Sequence, residues 1–407
     1  MTAPILRFKV NGSSYPSWNE KKLKDCVTFS KGGTLSKTDL DPNGDMPCLL
    51  YGELYTTYGE VTSAVISKTN STPDLVKGQK NDVLLPMSGE TAEDIAKATC
   101  VLQDGVAYGG DLMVLRSDSL NGSFLSYSLN SVNRRQISRI AQGKTVVHIN
   151  SARVSEISIN VPYLEEQKRI VAFFTALDEK IRLSQQKLTI VSKIKNGITK
   201  KIFSQEVRFN NTDGSFFKSW KSYTVGELAE VIGGGTPSTQ NSDYWDGDIY
   251  WLTPAEINSK WVHSSNRKIT VSGLNNSSAK LLPKGALLLT TRATLGACSI
   301  NNQDNPVCTN QGFQSLVCND FVDNEFMYYV VTANEFQKAM IKRASGSTFL
   351  EISSKNLKAI SVNLPSLEEQ RQIATLLSSL DEKIECLKQR VEVLKTQKAS
   401  LMQQMFI

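Results

Sequence analysis

The chain has 407 residues, of which 40% are hydrophobic and 21% are charged, and it carries a net charge of +6 at pH 7. This composition is typical of a globular protein with two or three domains rather than of a disordered or fibrous one. No signal-like segment opens the chain, and the apolar run at residues 286–289 is too short to cross a bilayer, so a cytoplasmic protein is expected. The mild positive charge permits binding to nucleic acid without requiring it.

Residues 1–160 read as a first globular domain of short strands and loops. Apolar runs such as DVLLP from Asp82 are separated by Gly, Asn, Ser and Pro, which favour turns. The loop Gly32-Gly33-Thr34 allows a close backbone approach, either to a phosphate group through its amides or simply within a tight turn.

The pattern of residues 161–205 predicts one long helix, about 60 Å in length. Apolar residues recur at alternating steps of four and three, which is the a/d pattern of a coiled coil. The seam comprises Ile170, Phe174, Leu177, Ile181, Ser184, Leu188, Val191, Ile198 and Ile202. Ser184 weakens this seam, and the pattern is expected to slip near Ile194 and Lys195.

Residues 206–363 read as a second globular domain and residues 364–407 as a second long helix. The second seam comprises Ile373, Leu377, Leu380, Ile384, Leu387, Val391, Leu394, Leu401 and Met405, with Lys398 filling one slot. Pro365 and the run Ser366-Leu-Glu-Glu369 predict a capping box at the start of this helix. In the first helix Tyr163 replaces the serine, so a weaker cap is expected there.

The two halves of the chain repeat each other. From Pro162 and from Pro365, eleven of twenty positions are identical, including LEEQ and LDEKI. The repeat predicts an α+β (mixed α/β) fold in which two similar globular domains are joined and separated by two long antiparallel coiled-coil helices, with internal pseudo-twofold symmetry. The alternatives are helices that pack on separate cores, or coiled-coil dimers with other chains.

A search for catalytic motifs finds none that is complete. The AQGKT run from Ala141 lacks the earlier glycine of a P-loop, and the second half has ASGST in its place. The adjacent carboxylates Asp178-Glu179 and Asp381-Glu382 point in different directions on a helix, so neither pair can hold one metal ion. Cys298, Cys308 and Cys318 lack the close pairing of zinc ligands and are expected to be buried thiols.

Basic residues suggest where DNA phosphates would bind. They cluster at matching places in the two halves, beside a glycine-containing turn, although any one of them could equally be an ordinary solvated charge. The first cluster comprises Arg134, Arg135, Arg139, Lys144 and Arg153, and the second Lys338, Lys342 and Arg343.

Taken together, LEEQKRI…LDEKI, LEEQRQI…LDEKI, GGGTPST from Gly233, YWDGDIYWLTPAEI from Tyr244 and YGELYTTYG from Tyr51 resemble the specificity subunits of type I restriction–modification systems. The resemblance covers essentially the whole chain. It implies two target-recognition domains that each read half of a split, asymmetric site in double-stranded DNA, and spacer helices that dock two modification subunits. It also implies that these partners methylate adenine N6 with S-adenosylmethionine, and that restriction subunits cut DNA using ATP and Mg²⁺. The chain itself would then have no catalytic residue, bound cofactor or metal, and no membrane partner.

The candidate residues follow from the repeat and the resemblance together. The candidate DNA-binding residues are Gly32, Gly33, Thr34, Ser88, Thr91, Arg135, Lys144, Gly234, Gly235, Thr236, Thr291, Arg292, Thr294, Arg343 and Ser347. The candidate docking and coiled-coil residues are Glu165, Glu166, Gln167, Leu177, Asp178, Ile181, Glu368, Glu369, Gln370, Leu380, Asp381 and Ile384. Arg292 is the strongest candidate for reading a base, because arginine pairs with guanine through two hydrogen bonds. The alternative functions are a coiled-coil scaffold, or a decoy that binds the methylase without reading DNA.

Overall fold

A computed structural model describes residues 4–10, 13–143, 145–211, 213–292, 294–346 and 350–406 of the chain. These residues form two compact units. The first unit comprises Met1–Gln186 and Leu387–Ile407, and the second comprises Lys187–Cys386. Both long helices are divided between the units, so the predicted division at residues 160, 205 and 363 stays a prediction.

The first unit contains fourteen strands among the described residues. They are β1 (Lys9–Val10), β2 (Ser13–Ser14), β3 (Asn19–Lys22), β4 (Thr28–Lys31), β5 (Met46–Leu49), β6 (Val61–Thr62), β7 (Lys68–Thr69), β8 (Asp82–Pro86), β9 (Ser88–Gly89), β10 (Thr99–Val101), β11 (Ala107–Tyr108), β12 (Leu112–Arg116), β13 (Val147–His148) and β14 (Ser158–Val161). Its α-helices are α1 (Glu53–Thr56), α2 (Ala92–Ile95), α3 (Gly122–Asn130), α4 (Arg134–Ile140), α5 (Ser151–Val154) and the first part of α6 (Leu164–Phe203). Short 3-10 turns cover Leu23–Asp25 and Lys37–Asp39.

The second unit repeats this arrangement with fewer strands. They are β15 (Lys221–Thr224), β16 (Ala229–Gly233), β17 (Trp245–Leu252), β18 (Arg267–Ile269), β19 (Leu287–Leu289), β20 (Cys298–Ile300), β21 (Val307–Thr309), β22 (Gln314–Cys318) and β23 (Ser361–Leu364). Its α-helices are α7 (Val225–Leu228), α8 (Val271–Asn275), α9 (Asn324–Thr332), α10 (Asn334–Arg343), α11 (Ser354–Lys358) and the first part of α12 (Leu367–Met405). Its 3-10 turns cover Ser242–Tyr244 and Pro254–Glu256.

The main sheets of the two units have matching strand orders. In the first unit the order is β4-β12-β8-β10-β6, and in the second it is β16-β22-β19-β20. A three-stranded sheet accompanies each, β11-β5-β7 in the first unit and β18-β17-β21 in the second. All pairs of the four shared strands are antiparallel. The repeat seen in the sequence is therefore a repeat of topology.

The central strands are apolar because both faces of the sheet are covered. Successive side chains on a strand point to opposite faces. On β8, Val83 and Leu85 enter one apolar cluster while Leu84 enters another. On β19, Leu287 and Leu289 likewise enter one cluster and Leu288 another. The uninterrupted runs DVLLP and LLL are thus buried strands, as the sequence predicts.

The long helices carry seams without a slip. In α6, Ser184 and Lys195 fill the two slots that lack an apolar residue, so the steps of four and three run unbroken from Ile170 to Ile202. Ile194 is 47% exposed and lies outside the seam. The predicted slip near Ile194 and Lys195 is therefore wrong, because a lysine can occupy a seam position when its ammonium group is paired.

The two helices pack against each other in antiparallel directions within each unit. In the first unit the rings of Phe174 and Phe406 lie 5.9 Å apart, and Lys398 binds Asp178. In the second unit Lys195 binds Asp381. Residue numbers rise along one helix as they fall along the other, which confirms the predicted antiparallel pair.

The predicted capping box at the start of α12 is only half formed. The Ser366 hydroxyl accepts a hydrogen bond from the Glu369 amide at 3.4 Å. The Glu369 carboxylate does not return to the cap, because it binds Arg208 and Trp220 instead.

The described cysteines fit the expectation of buried thiols, with one exception. Cys298, Cys308 and Cys318 lie on three different strands, and burial raises the pKa of the Cys308 and Cys318 thiols to about 12. Cys386 is exposed on α12. Among the described residues, no group of three metal-ligating side chains is placed to hold an ion.

The described helices include none that is both long enough and apolar enough to span a membrane.

Candidate nucleic-acid interface

The repeated LEEQ motif forms an internal joint between each globular domain and its helix. Glu166 is fully buried and accepts hydrogen bonds from Arg7 Nη2 at 2.7 Å and Trp18 Nε1 at 3.1 Å. Glu369 is equally buried and accepts from Arg208 Nη2 at 2.8 Å. Charge-assisted hydrogen bonds of this kind are the strong ones in a protein.

The glutamine of the motif completes the joint. Gln167 accepts a hydrogen bond from the Asn121 amide at 3.0 Å, and Gln370 accepts one from the Asp323 amide at 2.8 Å. Asn121 and Asp323 are the N-caps of α3 and α9, so each glutamine ties a domain helix to a long helix.

These contacts correct one prediction. Glu166, Gln167, Glu369 and Gln370 are at most 2% exposed, and their polar atoms are satisfied inside the chain. The structure does not support direct docking of a partner by these four side chains.

The aspartate of the LDEKI motif joins three elements in each unit. Asp178 on α6 accepts from the Tyr127 hydroxyl of α3 at 2.7 Å and from Lys398 of α12 at 2.5 Å. Burial raises the pKa of the Asp178 carboxyl, although Lys398 opposes that change. In the second unit Asp381 accepts from the Tyr329 hydroxyl at 2.7 Å and from Lys195.

The remaining docking and coiled-coil candidates divide into two groups. Glu165 and Glu368 are exposed. Leu177, Ile181, Leu380 and Ile384 follow the seam and are buried or half-buried. Of these candidates, only Glu165 and Glu368 present their side chains at the surface.

Most of the candidate DNA-binding residues lie beyond one end of the main sheet. In the first unit β4 ends, β12 begins and β8 ends at this edge, where Lys31 pairs with Met113 and Leu112 pairs with Pro86. The glycine loop and Ser88 follow directly. In the second unit Gly233 pairs with Gln314 at the corresponding edge, and Thr290 bridges to Phe313.

The backbone of each glycine loop packs closely against other backbone segments of the same chain. The Gly32 and Gly33 amides donate to Leu112 O and Tyr108 O at 2.9 and 2.8 Å, and the Gly235 amide donates to Thr309 O at 2.8 Å. A Cβ atom at Gly32 or Gly234 would collide with a backbone carbonyl. These three amides are thus unavailable to a phosphate, and the turn interpretation of the loops is the one the structure supports.

The threonines that follow the glycines are more open. Thr34 is exposed, and the Thr236 hydroxyl donates to the Gln311 side chain at 2.5 Å. Thr34 therefore remains a candidate, whereas the hydroxyl of Thr236 is engaged within the chain.

Several hydroxyl candidates are committed to the fold. Ser88 is 8% exposed and donates to Asp111 at 3.1 Å. Thr91 is the N-cap of α2, where its hydroxyl accepts from the Asp94 amide at 3.1 Å. Thr291 is 2% exposed, and its amide donates to Gly312 O. Burial leaves Ser88 and Thr291 little surface for contact with a base, so the structure lends no support to the prediction that they read DNA.

Arg292 and Thr294 remain at the surface. The Arg292 guanidinium is about half exposed and pairs loosely with Glu351, with 3.5 Å between Nε and Oε2. The exposed Thr294 donates its amide to Arg292 O at 2.9 Å.

A hairpin meets the candidate loop in each unit. Gln142 bridges to His148 in the first unit, and Ser345 bridges to Glu351 in the second. His148 then pairs with Ser88, and Glu351 pairs with Arg292. Sequence reasoning missed His148 and Glu351, although the alignment of GKTVVHIN with GSTFLEIS already places them at one repeated position.

The basic helices α4 and α10 lead into these hairpins. Arg135 and Arg139 are exposed one helical turn apart on α4, and Lys338 and Lys342 occupy the equivalent places on α10. Arg343 is exposed at the end of α10. Lys144 and Ser347 lie outside the described residues.

The arginines of α4 also line a surface cleft of about 610 Å³ in the first unit. Arg134, Arg135 and Arg139 form one wall, and the last turns of α12 form another. The cleft contains Glu60 and Glu93 as well, so its charge is mixed.

Comparison with known proteins identifies relatives of this arrangement. Residues 16–193 and 218–396 each match the family described as type I restriction modification DNA specificity domain. The MjaIX specificity subunit of Methanocaldococcus jannaschii is 37% identical over 209 residues, which cover 50% of this chain and 48% of that protein. The MjaVIII specificity subunit of the same organism is 22% identical over 95% of this chain and 91% of its own length.

A solved structure supports the fold. The S subunit of a type I restriction–modification system from M. genitalium superposes with a TM-score of 0.63 at 16% identity, covering 100% of this chain and 99% of that one. Since both halves match one family and the fold agrees over the full length, the chain belongs to the family of type I restriction–modification DNA specificity subunits.

Proposed function

We propose that the chain is the non-catalytic subunit that selects DNA for a type I restriction–modification complex by reading a bipartite, asymmetric site. The observation that carries this proposal is the contrast between the two units. Their joints repeat residue by residue, whereas the side chains beyond the sheet edge differ. A repeated frame with different surface chemistry is what two readers of two different half-sites require.

The helices support a role in fixing the half-sites relative to each other. Two linked readers gain effective concentration for the second half-site once the first is bound. A stiff helical link would restrict the permitted gap between half-sites.

The partners would be two modification subunits that methylate adenine N6, and through them the restriction subunits. The two long helices offer equivalent surfaces, with Glu165 and Glu368 at matching exposed positions. S-adenosylmethionine, ATP and Mg²⁺ would be bound by these partners.

The experiment is long-read mapping of N6-methyladenine in a host that expresses the cognate modification subunit with and without this chain. The expected result is a split motif with one fixed gap that appears only when the chain is present. If the complex assembles and no such motif appears, the chain is a scaffold or decoy and the proposal is wrong.

A further inference from the structure

The hairpin beyond the sheet edge has the same frame in both units and different chemistry at one position. Gly143 and Gly346 open the two hairpin loops with φ of +135° and +118°, a region that favours glycine. The residue that closes each loop, His148 or Glu351, pairs across to the strand end at Ser88 or Arg292. One pair is Ser–His and the other is Arg–Glu.

In the first unit, a hydrogen bond places Nδ1 of His148 against the Ser88 hydroxyl. The Ser88 hydroxyl has one proton, and it donates that proton to Asp111, whose carboxylate can only accept. Ser88 must then accept from His148 Nδ1, 3.0 Å away. A neutral imidazole at His148 therefore carries its free lone pair on Nε2, and this side chain is exposed.

Asp111 is itself held in place. It adopts φ of +56°, and its carbonyl accepts a hydrogen bond from the Met87 amide at 2.7 Å. A short chain of fixed groups thus orients the imidazole before any ligand arrives, which is the arrangement that a precise contact needs.

In the second unit, Glu351 orients the side chain of Arg292, and Arg292 is the residue exposed to a ligand. The ion pair between them is about half exposed on both sides, so it restrains the guanidinium without covering it. The Thr294 amide bonded to Arg292 O fixes the backbone at the same point.

We propose that His148 and Arg292 are the specificity-determining side chains of the two half-sites, with Glu351 as a positioning residue for Arg292. In the major groove the lone pair on Nε2 matches an exocyclic amino group, as on adenine or cytosine, and the arginine fork matches O6 and N7 of guanine. This inference rests on the proposed function. It goes further by assigning one residue in each unit to one class of base.

The test compares His148→Ala, Arg292→Ala and Glu351→Gln in the assembled methyltransferase complex. Methylation mapping gives the recognised motif, and competition binding uses duplexes that each carry one changed base pair of that motif. Discrimination at one base pair of one half-site should fall roughly 10- to 100-fold for His148→Ala, and at a guanine of the other half-site for Arg292→Ala. Glu351→Gln should weaken discrimination at the same guanine by a smaller factor.

Matched controls are available in the second unit. His263→Ala removes the other histidine, which is exposed, and Lys284→Ala removes an exposed ion pair with Asp304. Both controls should retain the full motif.

Two results would overturn the inference while leaving the proposed function intact. One is an unchanged motif in both His148→Ala and Arg292→Ala. The other is a uniform loss of affinity across all the changed duplexes. Absence of a chain-dependent motif with the unaltered chain would instead remove the proposed function, and this inference with it.

Discussion

At the scale of single residues, the second glutamate and the glutamine of the repeated LEEQ motif are among the most buried side chains of this protein. Glu166 and Glu369 have no exposed surface, and each neutralises an arginine near the start of the preceding globular domain. A buried carboxylate is tolerated only when its charge is paired and its lone pairs are filled. Repetition here marks a structural joint.

Replacing Glu369 by alanine should therefore destabilise the second unit strongly. The change leaves the largely buried Arg208 guanidinium and the Trp220 indole without their acceptor, which costs about 3 kcal/mol in the free energy of unfolding. Urea denaturation followed by circular dichroism measures the effect.

Glu368→Ala is the matched control, since its side chain is adjacent and exposed. It should change the unfolding free energy by less than about 0.5 kcal/mol. Equal effects of the two substitutions would contradict the assignment of Glu369 to the joint.

At this scale the sequence predicted some surface residues correctly, but it did not predict which polar residues are buried. The repeat and the family resemblance together singled out Arg292, which the structure places at the surface. It could not show that Ser88 and Thr291 are buried, because a polar residue in a loop and one at a strand end look alike in sequence. It also missed His148, whose significance depends on a partner 60 positions away.

At the scale of elements, each helix seam contains one paired lysine. Lys398 is 12% exposed and binds both Glu60 and Asp178, and Lys195 takes the corresponding place on α6. Hydrophobic periodicity predicted the two helices and their length, and the internal repeat predicted their antiparallel pairing. The prediction of a slip near Lys195 was wrong because the seam was identified from apolar residues alone. A lysine that is paired within the fold can occupy a seam position without being apolar.

Substituting methionine for Lys398 should weaken the first unit even though the new side chain is apolar. Methionine fits the seam, but Asp178 and Glu60 lose their shared cation, and an uncompensated, partly buried carboxylate pair costs about 2–3 kcal/mol. Thermal unfolding should show a lower Tm.

Lys395→Met serves as the comparison on the same helix, since Lys395 forms only an exposed ion pair with Glu392. Its Tm should stay within about 1 °C of the original, because surface pairs contribute little. A Tm of Lys398→Met equal to or above the original would show that the seam lysine is dispensable.

At the scale of the whole molecule, the two units differ in how the chain builds them. The second unit is one continuous stretch, Lys187–Cys386, whereas the first needs Leu387–Ile407 in addition to Met1–Gln186. That added segment fills an aromatic cluster, in which Phe406 packs against Trp18, Phe124 and Phe174. The duplication was evident from the sequence, but this unequal division was not, because both halves carry the same pattern.

Fragments should reflect this difference. Residues 187–386 should fold alone and unfold cooperatively, whereas residues 1–186 should expose apolar surface and bind a hydrophobic dye. Adding a peptide of residues 387–407 should restore cooperative unfolding to the 1–186 fragment. A fragment 1–186 that unfolds as cooperatively without the peptide would refute the expected dependence.

The divided first unit also has a consequence for biosynthesis. The ribosome makes Met1–Gln186 first, yet Lys398 and Phe406, which belong to the same unit, are added only after the second unit has been synthesised. At about 5–20 residues per second, some 200 residues after Gln186 take on the order of 10 to 40 seconds. During that interval Trp18 and Phe124 would lack the ring of Phe406, against which both pack in the folded chain. The domain that is synthesised first is thus the one that finishes folding last.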